Sequence, residues 1–409
     1  MRLRSGSHVA IVGGGPAGSM CALGILKHTR QAGLPVDVTI FEPRDFRLPG
    51  PWGCNMCAGL IPVRELAALE KVGIKLPPRV VRARIRSYTL HTAAGEVRVT
   101  QPDPQGDVVS VYRGNGPRDG GGWGKNVSLD GFLLEAARNA GAEVILARVD
   151  HVSMAPRPVV TARSRRYSAD LVVLATGVNR RALSISGLKY RPPPRRQMAQ
   201  TEVCRPAGPS GDVLTRSVHV FLPQGNSIAF GSLVPKGPCV SVSLLGGDVG
   251  PGALQRFLQH PEVQAVLPRA TSRACRCRPH VAVGAGSPLF ADRFVAVGDA
   301  GITNLYKNGI GAAFRTALRA ADTAVHSGLS AADFRRGYGP VCRGMALDNL
   351  AGRFLFGFTE VFKHHSRLAS PHLQAVTAEQ SLPEDQRLLC RLLWGMFTGT
   401  YPYRQLLAM

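Results

Sequence analysis

The glycine run near the start of the chain constrains its fold more than any other feature. Residues His8 to Val12 are apolar and β-prone, and Gly13-Gly14-Gly15-Pro16-Ala17-Gly18 follows at once, opening a helical stretch to about Ala32. Val36 to Phe41 reads as a second buried strand, ending at Glu42. Strand, glycine turn, helix and parallel strand form the unit that cradles a dinucleotide. In it Gly13 permits the tight turn, Gly15 lets the backbone approach a pyrophosphate, and Gly18 lets the helix pack against the strand. Ala17 lies within the same turn, and the helix N-terminus faces the phosphates. Glu42 stands where an acidic side chain accepts hydrogen bonds from a ribose diol.

Two further segments point to the same site. Arg293 to Val297 is a strand-like run ending in Gly298-Asp299, and a helix begins near Asn308-Gly309. Ala169 to Ala175 is a strand, continuously apolar after Asp170, leading to Thr176-Gly177. With these residues the chain resembles the FAD-dependent oxidoreductases of the p-hydroxybenzoate hydroxylase and geranylgeranyl reductase superfamily, over roughly residues 8 to 330. The resemblance implies FAD as cofactor. It makes Asp299 the ligand of the ribityl chain, places Gly309, Ile310 and Gly311 under the isoalloxazine, and brings Thr176 and Gly177 near the pyrophosphate. Hydroxylases usually carry Asp-Gly where this chain has Thr176-Gly177, which points away from that branch.

The geranylgeranyl reductase-like branch is suggested by two other segments. Cys54-Asn-Met-Cys57-Ala-Gly59 follows the second strand, where that family has a Cys-Gly-Gly-like stretch with its cysteine near the flavin. Phe230 to Pro235 resembles in part the segment that lines the family's prenyl pocket, which nominates Phe230, Ser232 and Pro235. The implied reaction is hydride transfer to or from a carbon–carbon double bond in an apolar, isoprenoid- or lipid-like substrate. Cys57 would donate the proton, and the electron donor is unidentified. Two rivals stay open: a flavin monooxygenase of an aromatic or polyketide-like compound, and an electron carrier to a quinone or protein partner. Cys54 and Cys57 themselves have three readings. They form a redox dithiol, or half of a metal site completed by Cys275 and Cys277, or Cys57 shapes the pocket and Cys54 is incidental. No spacing requires a metal, so none is assigned.

The expected architecture is α/β. A discontinuous Rossmann-like domain draws on residues 1–80, 125–185 and 280–330; an inserted antiparallel β-rich substrate domain takes 81–124 and 186–279; residues 331–409 form a helical extension. Ser217 to Leu222, Ser227 to Val234 and Cys239 to Leu245 read as antiparallel strands, with Pro235-Lys236-Gly237-Pro238 as a turn. Arg113 to Gly124 reads as a glycine-rich loop. In the extension, Leu350, Phe354, Phe358, Val361 and Phe362 share one helical face, and Leu388 to Phe397 is strongly apolar. This part reads either as core or lid, or as an interfacial docking segment with Trp394, Tyr401 and Tyr403 as aromatic anchors.

Charge narrows the partners. Fifty Lys and Arg against 27 Asp and Glu give a net charge of +23. The excess is diffuse and lacks interleaved aromatics, so nucleic acid is set aside. Compositional bias explains such an excess, and so does peripheral contact with an anionic membrane. No run is long and apolar enough to span a bilayer. Nine cysteines, an odd and scattered set, argue against a secreted disulfide framework and for a reducing cytoplasm. The expected location is cytoplasmic, with contact at the inner face of the cell membrane.

Overall fold

The computed structural model describes the chain apart from residues 104–105, 118–126, 180–182, 205–213, 215, 224–227, 248, 251, 268–271 and 274. Its architecture is mixed α/β with several sheets and a helical C-terminal extension.

A six-stranded sheet organises the dinucleotide unit. Its order is Phe290–Ala291, Phe294–Ala296, Leu171–Leu174, Ser7–Val12, Val36–Phe41 and Glu143–Ile145. All neighbours are parallel except the first pair. A parallel sheet must be covered on both faces, and alternation along its strands supplies both covers. Val9 and Ile11 point into a core shared with helices Pro16–Gln31, Leu129–Asn139 and Gly309–Asp322, while Ala10 and Val12 point into a second core. That second core lies under a four-stranded sheet built from Val149–Ser153, Val159–Ala162, Arg165–Ser168 and Ser184–Ser186.

The other large sheet carries the segments from Ser87–Thr92 and Gly95–Thr100 through Arg195–Cys204, Ser217–Leu222, Ile228–Lys236 and Cys239–Gly246. Its pairs are antiparallel but for one: Ser217–Leu222 runs parallel to Ser87–Thr92, because the two come from separate stretches of chain. Helices Ala253–Gln259 and Pro261–Val266 cover one face. The other face meets the C-terminal helices through Leu373, Val376, Leu389, Cys390 and Trp394.

One expectation is corrected here, and one open alternative is decided. Lys236 is not a turn residue; it ends its strand and is 1% exposed, because its ammonium finds partners inside. Of the two readings of the extension, Trp394 and Tyr403 follow the core one: both are fully buried, with Trp394 Nε1 donating to Gly106 O at 3.2 Å and the Tyr403 hydroxyl donating to Leu305 O. The cysteine pattern argued against a disulfide framework, and one pair nevertheless forms: the register of two antiparallel strands sets Cys204 opposite Cys239, and the two are a disulfide. The other seven cysteines are free. Of the glycine-rich loop, 118–124 lies outside the described residues, as does Ser227, and no helix among the described residues is long and apolar enough to cross a membrane.

Candidate functional site

In an open parallel sheet, ligands collect at the carboxyl ends of the strands. That edge here holds Gly13, Glu42, Thr176 and Gly298-Asp299. Gly13 adopts φ +111°, and a side chain there would run into the Ala175 carbonyl of the next strand. Gly18 lies so close to Gly13 O that no Cβ fits, which lets the helix start directly at the strand end. Glu42 is buried at 5% exposure. Its carboxylate accepts from Gly14 N at 2.8 Å and Arg44 N at 2.9 Å. Burial raises its pKa, and those two backbone N–H groups offset part of the rise.

The two distant halves of the motif meet through Ala17. Its methyl carbon lies 2.8 Å from where a Cβ on Gly298 would stand, and Gly298 has φ +58°. Asp299 follows, half-buried, its pKa raised by burial against the pull of the Thr303 hydroxyl and Arg113. Gly309 opens the next helix beside it: a Cβ there would lie 3.8 Å from Asp299 Oδ1. The helix is capped by Asn308, which adopts a left-handed conformation and accepts from Gly311 N at 3.1 Å. Ile310 packs in the main core, and Gly311 is pressed against Asn308 and Glu65.

An ionic network that sequence reasoning missed sits over the glycine turn. Arg113 donates to Asp130 through Nε and, at 2.9 Å, through its NH2 nitrogen. Asn55 donates to the same carboxylate and accepts from Arg44. Asp130 is fully buried. Burial alone would lower Arg113, but the charge and hydrogen bonds of Asp130 hold it above the ordinary arginine value, with Cys57 and Asp299 adding to the effect. Arg113 thus stands among the glycine turn, Cys57 and Asp299. Its signal in the sequence was only its place at the start of a glycine-rich loop.

Cys54 and Cys57 are handled differently by their surroundings. Cys57 Sγ accepts from Gly59 N at 3.3 Å, and its carbonyl takes a bond from Lys236 Nζ at 3.2 Å. Cys54 is pushed up to about 11 by burial, with Lys236 pulling it down in part. A thiol that high is protonated near neutrality and is a poor nucleophile. Cys275 and Cys277 hydrogen-bond each other, and no three of these four cysteines come within metal-ligand reach of one another among the described residues. Lys236 also reaches Glu202 Oε1 at 3.4 Å and lies 4.7 Å from the centre of the Tyr112 ring.

Beyond Cys57 the wall turns apolar. Phe230 and Ser232 share a face of their strand, and Pro235 by alternation faces the other way. Phe230 joins Tyr306, Phe356 and Phe397 in a cluster with ring centres 5.0 to 6.5 Å apart. All four rings remain partly exposed. Tyr306 and Phe356 were not anticipated. Tyr306 lies two residues before the Asn308 cap, so the aromatic wall begins where the Gly309 helix begins.

The group these features would hold is a dinucleotide, and two observations fit it. The Thr176 hydroxyl is buried at the strand edge with no hydrogen-bond partner among the described residues. A Cβ on Gly15 would stand 3.5 Å from Asn55 Nδ2 and 3.7 Å from an Arg113 guanidinium nitrogen, donors suited to an anion and engaged here by the neighbouring Asp130 carboxylate.

No protein-family model matches the chain, and no curated protein matches its sequence. Solved structures match over nearly its whole length. A geranylgeranyl bacteriochlorophyll reductase-like protein from Thermoplasma acidophilum is similar at TM-score 0.64 and 15% identity, covering 99% of this chain and 96% of that one. The flavin-dependent brominase Bmp2 is similar at 0.63 and 16%, covering 98% of each. The p-nitrophenol 4-monooxygenase PnpA from Pseudomonas putida DLL-E4 is similar at 0.63 and 15%, covering 98% and 100%. The chain shares the overall fold of these proteins. The likeness extends equally to a reductase-like protein, a halogenase and a monooxygenase, so it does not select the geranylgeranyl reductase branch.

Proposed function

We propose that this protein is an FAD-dependent oxidoreductase acting on an apolar organic compound. The observation that carries the reading is a juxtaposition: the Gly13 turn, Asp299 and the Asn308-capped helix share one sheet edge, and an aromatic wall begins two residues from that cap. Gly13 to Gly18 and Glu42 would hold the adenosine diphosphate half, with Arg44 and Arg113 facing the phosphates. Thr176 and Gly177 would flank the pyrophosphate, and Asp299 would accept from the ribityl chain. Bound FAD would supply two-electron redox chemistry.

The remaining work falls to this chain. Phe230, Tyr306, Phe356 and Phe397 would bind the apolar substrate and exclude water. Cys57 would hold a proton at Sγ beside the ring and deliver it to a carbon centre. Lys236 would fix the Cys57 backbone through its carbonyl, and Ser232 would add a hydroxyl to the wall beside that of Tyr306.

Two chemistries fit this wall. One is hydride transfer to or from a carbon–carbon double bond, as the Cys57 segment suggests. The other is oxygen-dependent modification of an aromatic compound, in line with the monooxygenase and halogenase among the similar structures. An oxygen requirement separates them. Reduced enzyme with candidate apolar substrates is followed with and without oxygen. Anaerobic turnover of an unsaturated lipid supports the first chemistry, and turnover of aromatic compounds only in air supports the second. Purified protein that takes up no flavin from excess FAD would refute both.

A further inference from the structure

Helix Gly339–His364, of 26 residues, has an outer face that its fold does not explain. Leu347, Leu350, Phe354, Phe358 and Val361 are 53%, 58%, 58%, 52% and 48% exposed. At 3.6 residues per turn these five positions fall within about 80° of one another. They form one continuous stripe, and the Phe354 and Phe358 rings touch at 5.1 Å. The flank of the helix next to the stripe is covered: Ala351 and Leu355 pack with Leu305, Met396 and Tyr403. Soluble monomers seldom leave a contiguous row of large apolar side chains in water, and such a row marks a docking surface.

Charge identifies the occupant. Arg343 and Arg353 are exposed on this helix, and Arg367 is exposed just beyond it. Among the described residues the helix has one exposed acid, Glu360, and it is engaged by Lys363 at 3.7 Å and His364 at 3.8 Å. The stripe is therefore apolar along its centre and cationic around it. A second copy of the chain would bring another +23 against this one, which opposes self-association. An anionic lipid surface meets both needs, taking the apolar side chains below the headgroups and pairing the arginines with phosphates.

We infer that the Leu347–Val361 face seats the protein on an anionic phospholipid bilayer, with Phe354 and Phe358 as its central anchors. The inference is independent of the flavin reading, and neither fails with the other. The same helix sends Phe356 inward to the aromatic wall, so its two sides face the lipid and the candidate substrate site.

The full chain is incubated with vesicles of phosphatidylcholine alone, or with roughly one-third phosphatidylglycerol, and sedimented. The protein is expected to follow the acidic vesicles and to be released by salt. Phe354→Ser with Phe358→Ser should lower that partitioning about tenfold or more. Its thermal transition should not fall, since both side chains are exposed. Arg343→Glu with Arg353→Glu should abolish the preference for acidic lipid. Equal binding to both vesicle types, no binding to either, or unchanged binding by the double serine variant would overturn the proposal. So would a wild-type dimer in light scattering that the serine variant converts to monomer while vesicles are ignored, because the face would then join two copies of the chain.

Discussion

Replacing Arg113 with Met tests the network over the glycine turn. Asp130 has no exposed surface, and Arg113 supplies two of its hydrogen bonds while its own side chain is 15% exposed. Met fills a similar volume but leaves the carboxylate with Asn55 as its side-chain donor. Removing one partner of a buried ion pair costs about 3–5 kcal/mol, because the other charge is stranded. Arg113→Met should therefore cost about that much in urea unfolding followed by tryptophan fluorescence. Asp130→Asn alone should cost less, since an amide is neutral and keeps much of the shape. With both changes the loss should fall short of the sum by about 1.5–3 kcal/mol, the coupling expected of residues in contact. Arg113→Lys separates charge from geometry; it keeps the cation but loses the two-pronged fork and should land between wild type and Met. Flavin retention should fall in Arg113→Met as well, because a cation leaves the phosphate end. A loss under about 1 kcal/mol with strictly additive changes would refute the claim that this pair organises the site.

Asp299→Ala should weaken flavin retention about tenfold, the usual scale for losing a carboxylate acceptor, as read by flavin released on denaturation. Cys57→Ala should lower turnover while FAD stays bound, and Cys54→Ala should do less; equal loss from both would point to a cycling dithiol instead. Trp394→Ala should cost about 3–5 kcal/mol of stability, as expected for a fully buried indole, and a surface-like loss under 1 kcal/mol would contradict the packing described. Burial pushes Lys307 down to about 7, although its ammonium donates to the Gly395 and Tyr401 carbonyls at 2.8 Å each. Between that value and the ordinary lysine value the unfolded chain holds the extra proton, so stability should rise with pH from about 7 to about 10 and be flat below. Lys307→Met should remove this slope from paired urea titrations at pH 7 and 9; identical slopes in both proteins would count against a depressed Lys307.

What was legible in the sequence was what local geometry dictates. The Gly13 turn announces itself because its φ and its close carbonyl tolerate no side chain. Asp299 could be read from the short strand before it. What was not legible depends on chains meeting. Arg113 and Asp130 are 17 residues apart, and Lys236 and Glu202 are 34 apart, and nothing local says that they pair. Phe356 joins Phe230 only because the C-terminal helices fold back on the large sheet. The apolar stripe from Leu350 to Val361 shows a further limit. Helical periodicity says that one face is apolar, but not whether anything covers it. The reverse held for Trp394 and Tyr403, whose aromatic, membrane-like setting belongs to residues in the core.

The central claim is that one FAD lies across the edge shared by Gly13 and Asp299. Flavin-free protein titrated with FAD, with the quenching of flavin fluorescence as readout, tests it directly. The account predicts saturation at one FAD per chain, competition by adenosine diphosphate, much weaker binding of FMN, and a weakened curve for Asp299→Ala. FMN binding as well as FAD, or FAD binding that neither adenosine diphosphate nor Asp299→Ala disturbs, would contradict it.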